Sequence, residues 1–156
     1  MSKSCKNKCS TPCPQGPRGF RGLPGILATY FDELDAPVDL PAAAPVSVAS
    51  VSTGTAASPA RFLIVTATFS AKSSDVPKFV DFFLRLGADN LLGGSELTFT
   101  IANLGQSGAI TKRIAVGPGV QIVNLIAQAN AAGVSIDPVG RPTRDHAALT
   151  VLESAA

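Results

Sequence analysis

The chain has 156 residues, of which 46% are hydrophobic and only 15% charged, with a net charge of +2, one Tyr, one His and no Trp. That length suits one domain plus a tail and is enough to bury a single core. The small net charge gives no argument for a nucleic-acid partner. A charged fraction well below the usual quarter or so points to self-association, with surface covered by other subunits.

The chain divides near residue 26. Residues 1–25 are dominated by Lys, Cys, Pro, Gly and Ser and hold almost nothing to bury, so this segment is not expected to fold alone. Its start, "MSKSCKNKCS", carries positive charge with no apolar stretch behind it, and no apolar run in the chain approaches the roughly 20 residues that span a bilayer. The expectation is a protein assembled in the cytoplasm without a signal peptide, with no membrane span, that reaches the outside by cell lysis. Lys3, Lys6, Lys8, Arg18 and Arg21 gather in this tail. They read either as a solvated tail or as a contact for an acidic surface.

Cys5, Cys9 and Cys13 are spaced four apart, with no histidine nearby. A zinc site wants four ligands, commonly as two separated pairs, so metal binding is not the expected use. An odd count points to bonds between chains or to free thiols. Gly16, Gly19, Gly22 and Gly25 follow in a strict three-residue frame with Pro17 and Pro24 between them. Collagen needs that period because only glycine fits the axis of three wound chains. Four triplets span roughly 37 Å at about 3.1 Å per residue. So short a triple helix needs three chains already held together, which makes the second contact intramolecular. The alternative is a plain linker.

"ILATYFDELD" (26–35) is expected as an extended first strand, since Pro37 and Pro41 follow closely. Further strands are predicted at 45–51, 60–71, 78–86, 95–104, 109–116, 119–129, 133–137 and 146–153. The breaks between them, "GADN", "GG", "GQSG", "GPG", "NAAG" and "DPVGRP", are rich in residues that permit positive φ or remove a backbone donor. Strands at this spacing predict an all-β sandwich or barrel. Two strands are apolar on both faces. Leu63, Val65, Ala67 and Phe69 alternate with Phe62, Ile64, Thr66 and Thr68. Val123, Leu125, Ala127 and Ala129 alternate with Val120, Ile122 and Ile126. A half-exposed antiparallel strand alternates apolar with polar, so these are expected to be covered twice, by the core and by another subunit or a loop.

The run "ARFLIVTATFSA…KFVDFFLRLGADN…SELTFTIANL…GVQIVNLIAQANAAGVSID…HAALTVLE" resembles the globular heads of the tumour necrosis factor and complement-head superfamily. The resemblance covers roughly residues 26–156 and is a strand pattern, not a signature motif. It implies a jelly-roll head forming a tight trimer about an apolar axis, often behind a collagen-like stretch. It suggests Phe62, Ile64, Ile122 and Ile126 as residues of that axis. No receptor-binding or calcium-site residue of the family can be matched here. With three cysteines on each of three chains, at least one disulfide would leave the trimer if all were oxidised.

Catalytic signals are weak. His146 is the single histidine and sits beside Asp145 at a turn. No nucleophile elbow or phosphate-binding glycine loop is present. Asp32, Glu33 and Asp35 form a small acidic cluster, read as solvated carboxylates before a cation site. Tyr30 is the one aromatic considered for a ligand-binding face. Base-stacking aromatics among basic residues are absent.

The expected architecture is all-β: a jelly-roll β-sandwich head at 26–156 behind an extended connector at 1–25 that contains the short collagen-like segment. The expected function is structural, neither an enzyme nor a cofactor protein. It is a homotrimeric subunit of an extracellular fibre or surface layer, similar to the collagen-like proteins of bacterial spore surfaces, with its tail linking trimers. Its partners would be itself and other coat proteins. The alternatives are a virion component, minor capsid or spike, and a ligand-binding adhesin head.

Overall fold

Residues 61–73 show how this sequence makes its core. The odd-numbered side chains from Arg61 to Ser73 are all buried, and the even-numbered ones are half-buried or exposed except Ser70. That is the two-residue period of an extended strand with one face inside. A computed structural model of the chain describes residues 25–53, 61–88, 90–138 and 146–155. Cys5, Cys9, Cys13, Gly16, Gly19 and Gly22 lie outside those residues. Gly25, the last glycine of the frame, is exposed at the start of the described head, with open space around its Cα.

Every regular element among the described residues is a strand. In chain order they are β1 (Ile26–Glu33), β2 (Val38–Leu40), β3 (Val46–Ser52), β4 (Arg61–Ser73), β5 (Lys78–Leu86), β6 (Asn90–Phe99), β7 (Gln106–Val116), β8 (Ile122–Ala129), β9 (Val134–Ile136) and β10 (Ala147–Ala155). The eight longer strands pair antiparallel from the outside in. β1 lies on β10, β3 on β8, β4 on β7 and β5 on β6. Two further pairings, β10 with β4 and β8 with β5, gather the ladder into two sheets. One runs β1-β10-β4-β7 and the other β3-β8-β5-β6. The short β2 and β9 pair with each other, and β9 adds to β4 at Lys72 and Ser73, where β10 has ended.

The sheets pack face to face as a sandwich. Leu63, Val65, Ala67, Phe69, Leu149 and Val151 come from one sheet, and Val80, Phe82, Leu84, Val123, Leu125 and Ala127 from the other. All are fully buried. Burying each large apolar side chain contributes about 1.5–3 kcal/mol, which makes this layer the main source of stability. Phe69 and Phe82 join the sheets directly, with ring centroids 4.1 Å apart and planes 11° from parallel. Gly108, opposite Phe69 on β7, makes room for that stack. A Cβ there would sit 2.7 Å from Phe69 Cε2 and 3.1 Å from its Cζ. Gly108→Val should therefore destabilise the head by about 1–3 kcal/mol through overpacking. Urea unfolding followed by circular dichroism checks this, and an unchanged midpoint would mean the rings do not need that space.

The sandwich curls until its edges meet. On one side the Lys112 side chain of β7 lies across Gly93 of β6. On the other, Asp32 Oδ2 accepts the Ser50 backbone N–H at 2.7 Å, tying β1 to β3. The register also sets the two ends. Ile26, Ser154, Phe62 and Ala115 lie side by side where the tail enters. The 74–77, 100–105 and 130–133 turns cluster at the far end. There Asn103 N–H reaches Ser73 O at 2.7 Å and Ser74 N–H reaches Gly133 O at 2.9 Å.

Most expected strands appear, with shifted ends. β6 is the largest shift, because it starts at Asn90 and ends at Phe99, where 95–104 was predicted. The "GG" at 93–94 is strand and not a turn, since Gly94 pairs opposite Phe83 where a Cβ would meet Phe82 O at 3.1 Å. "IANL" belongs instead to the following turn, with Asn103 at φ 60°. β2 was not anticipated.

Candidate functional site

The sandwich leaves two outer faces, and they differ in chemistry. On β4 the outward residues are Phe62, Ile64, Thr66 and Thr68. Register extends this face across its sheet in rows: Thr29–Leu152–Ile64–Arg113, Phe31–Thr150–Thr66–Thr111 and Glu33–Ala148–Thr68–Ala109, with Ser154–Phe62–Ala115 at the tail end. Only Glu33 and Arg113 among them are charged. Phe31 is 59% exposed. The Arg113 guanidinium carbon lies 4.0 Å from the Phe62 ring centroid, a cation–π contact that shelters the ring. Thr66 and Thr111 bring their hydroxyls to 3.4 Å. This face is a sheet of small, apolar and hydroxylated side chains with almost no charge.

The opposite outer face is mixed. From β8 it takes Ile122, Asn124, Ile126 and Gln128, from β5 Phe79, Asp81, Phe83 and Arg85, and from β6 Glu96 and Thr98. Asp81 stands directly opposite Glu96, and Phe83 opposite Gly94. The missing side chain at Gly94 opens a groove of about 460 Å³, lined by Asp81, Phe83, Arg85, Leu91, Gly94 and Glu96. Partial burial, and then the neighbouring Glu96 charge, hold the Asp81 carboxyl above its ordinary pKa. Glu96 Oε1 accepts the Thr98 hydroxyl at 2.8 Å. The Arg85 guanidinium carbon lies 5.2 Å from the Phe83 ring centroid.

The four residues suggested for an apolar axis therefore do not come together. Phe62 and Ile64 belong to the first outer face, and Ile122 and Ile126 to the second, because β4 and β8 sit in different sheets. The acidic cluster, by contrast, stays together: Asp32, Glu33 and Asp35 line one open pocket beside Ser47 and Ser50 of β3, where Asp32 Oδ2 accepts the Ser50 N–H. Among the described residues no group of three or more His, Cys, Asp or Glu side chains could hold a metal ion. No helix there is long and apolar enough to cross a membrane. His146 packs against Ser70. Ser70 Oγ accepts the His146 backbone N–H at 3.0 Å, and Ser70 N–H donates to His146 O at 2.7 Å, so the pair fastens the start of β10 onto β4. Asp145 lies outside the described residues. The Tyr30 hydroxyl reaches Glu153 Oε2 at 3.3 Å and Tyr30 is half-buried, so this aromatic serves the interior.

Sequence reasoning missed one buried site. Arg61 Nη1 and Glu153 Oε1 form an ion pair at 2.8 Å between side chains 0% and 4% exposed. Arg61 Nη2 also donates to Gly119 O, fixing the 117–121 turn against the tail end of the sandwich. The signal was present: Arg61 is in frame with Leu63 and Val65, and Glu153 with Leu149 and Val151. A charge in phase with a core face must be paired. Compared with known proteins, the chain matches no family model and no curated protein.

Proposed function

We propose that the chain is a structural, self-assembling subunit without catalytic function. Its head is a jelly roll that forms a homotrimer through the outer face of β1-β10-β4-β7, and its N-terminal segment links trimers into an extracellular fibre or surface layer of spore-surface type. The nested pairing, first strand with last and so on inward, supports the jelly roll, because rolling one long antiparallel ladder gives two four-stranded sheets in this order. The observation that carries the trimer is the nearly uncharged outer face around Ile64. Depletion of charge is what marks the centre of an interface. The three-residue glycine frame at Gly16–Gly25 supports the number three, since a triple helix needs three chains.

The cysteines give the test of the connector. Cys5, Cys9 and Cys13 on three chains make an odd total, so full oxidation must send a bond to a neighbouring trimer. Oxidised full-length protein should run on non-reducing denaturing gels as species above the trimer that collapse to monomer with reductant. Replacing all three cysteines by serine should abolish the ladder and leave the head folded, since no cysteine follows residue 13. Negative-stain images of the parent should show fibres or sheets. Isolated particles and a monomer band without reductant would reject the linked-fibre reading in favour of non-covalent, capsid-like packing.

A further inference from the structure

The groove between β5 and β6 is electrostatically incomplete. Like charges directly opposite each other on neighbouring strands are destabilising, yet Asp81 and Glu96 occupy such a pair. Among the described residues the ion pairs are Arg61–Glu153 and Lys78–Asp75, and neither involves these two carboxylates. Arg85 is close, but its guanidinium lies over Phe83. Beside the carboxylates the groove offers apolar surface, the half-buried Phe83 ring and Leu91, which is 62% exposed. A fitting occupant carries cations next to apolar side chains and approaches the backbone closely at Gly94.

The chain itself contains such a segment. All eleven acidic residues lie after residue 24, against eight of the thirteen basic ones, so the first 24 residues are purely basic and the rest is net acidic. Within that basic part, Arg18, Phe20, Arg21 and Leu23 set two guanidinium groups, an aromatic ring and a leucine among glycines. Were these triplets wound as a triple helix, glycine would take the axis and all four side chains would point outward. Arg18 lies seven residues before Gly25, where the described residues begin, and seven extended residues reach about 25 Å, so the segment can meet the groove of a copy that packs beside the tail end of its own head.

We propose that the β5–β6 groove docks the basic segment Arg18–Leu23 of a neighbouring copy, the two arginines meeting Asp81 and Glu96 while Phe20 or Leu23 covers Phe83 and Leu91. The inference deepens the connector reading above. It gives the assembly two different surfaces per head, one within the trimer and one between trimers, on opposite faces of the sandwich. Head-to-tail contacts of this heterologous kind give rings where the rotation closes and open filaments where it does not, and linking trimers in the second way builds a fibre.

The test uses a fluorescent peptide spanning residues 14–25, titrated into reduced full-length protein whose own Arg18 and Arg21 are changed to Glu, so that its tails do not compete. Anisotropy should show binding that weakens with salt, as screened ion pairs do. Asp81→Lys with Glu96→Lys should weaken it at least about tenfold, equivalent to roughly 1.4 kcal/mol. A peptide carrying Arg18→Glu and Arg21→Glu should fail on the original groove, a control that leaves the head untouched. Equal binding of both peptides, or no binding of either, overturns the proposal. Sedimentation of the same samples reads the trimer separately. Monomers that still bind the peptide would sink the trimer reading and spare the groove, and trimers that ignore it would do the reverse.

Discussion

Ile64→Asp is expected to dissociate the trimer into folded monomers, whereas Ile126→Asp is expected to leave it intact. Ile64 sits within the row Thr29–Leu152–Ile64–Arg113, in the middle of the nearly uncharged outer face. It is half-buried before any partner arrives, and its side chain points away from the core, so the substitution spares the interior. Covered by another subunit, an aspartate there is a desolvated charge whose neighbouring cation, Arg113, is engaged over the Phe62 ring. Losing one member of a buried pair costs about 3–5 kcal/mol, and an uncompensated charge at an interface belongs to the same scale. A symmetric trimer would suffer this at each of its equivalent contacts. Ile126 faces the other way, beside Phe83 and opposite Ser47, on the mixed face. Sedimentation velocity on the two variants separates the faces. Monomers from Ile126→Asp and trimers from Ile64→Asp would move the trimer contact to the β3-β8-β5-β6 sheet.

Glu153→Ala should cost about 3–5 kcal/mol of folding stability, the largest single loss expected in the head. The substitution leaves the Arg61 guanidinium at the tail end of the core with its carboxylate gone, and Arg61 is only 1% exposed. It also removes an acceptor of the Tyr30 hydroxyl, while Arg61 keeps its bond to Gly119 O. The double variant Arg61→Met with Glu153→Leu should recover most of the loss, because apolar side chains of similar volume replace a buried pair at little cost. Denaturant titration of parent, single and double variants tests both statements. A single variant within about 1 kcal/mol of the parent would mean that water reaches the pair, contrary to its burial.

The fold was legible where a local pattern carries it. β5 runs from Lys78 to Leu86, the bounds its alternation predicts, and β4 shows its core face in Leu63, Val65, Ala67 and Phe69. Local pattern fails where pairing decides. The glycines at 93–94 read as a turn because neither offers a side chain to a strand face, but the close backbone approach opposite Phe83 is what requires Gly94. The same limit applies to the outer faces. Alternation shows that Phe62 and Ile64 on one strand and Ile122 and Ile126 on another are apolar outside. Which sheet each strand joins depends on partners far along the chain: β4 pairs with β10 and β7, and β8 with β3 and β5. The groove was hidden for the same reason, since Asp81 and Glu96 become neighbours only through the β5–β6 register. Arg61 and Glu153 differ from these. Each stands in phase with a core face, and a reader attending to charged residues in apolar frames would have paired them.

The central claim, a homotrimer built through the β1-β10-β4-β7 face, is tested most directly by the solution mass of the reduced full-length protein. With Arg18 and Arg21 changed to Glu, so that tails do not join one trimer to the next, sedimentation equilibrium should return three times the 15.9 kDa chain mass, constant over dilution and unaffected by replacing the cysteines. A mass of one chain, or of two, at the same concentrations would contradict it.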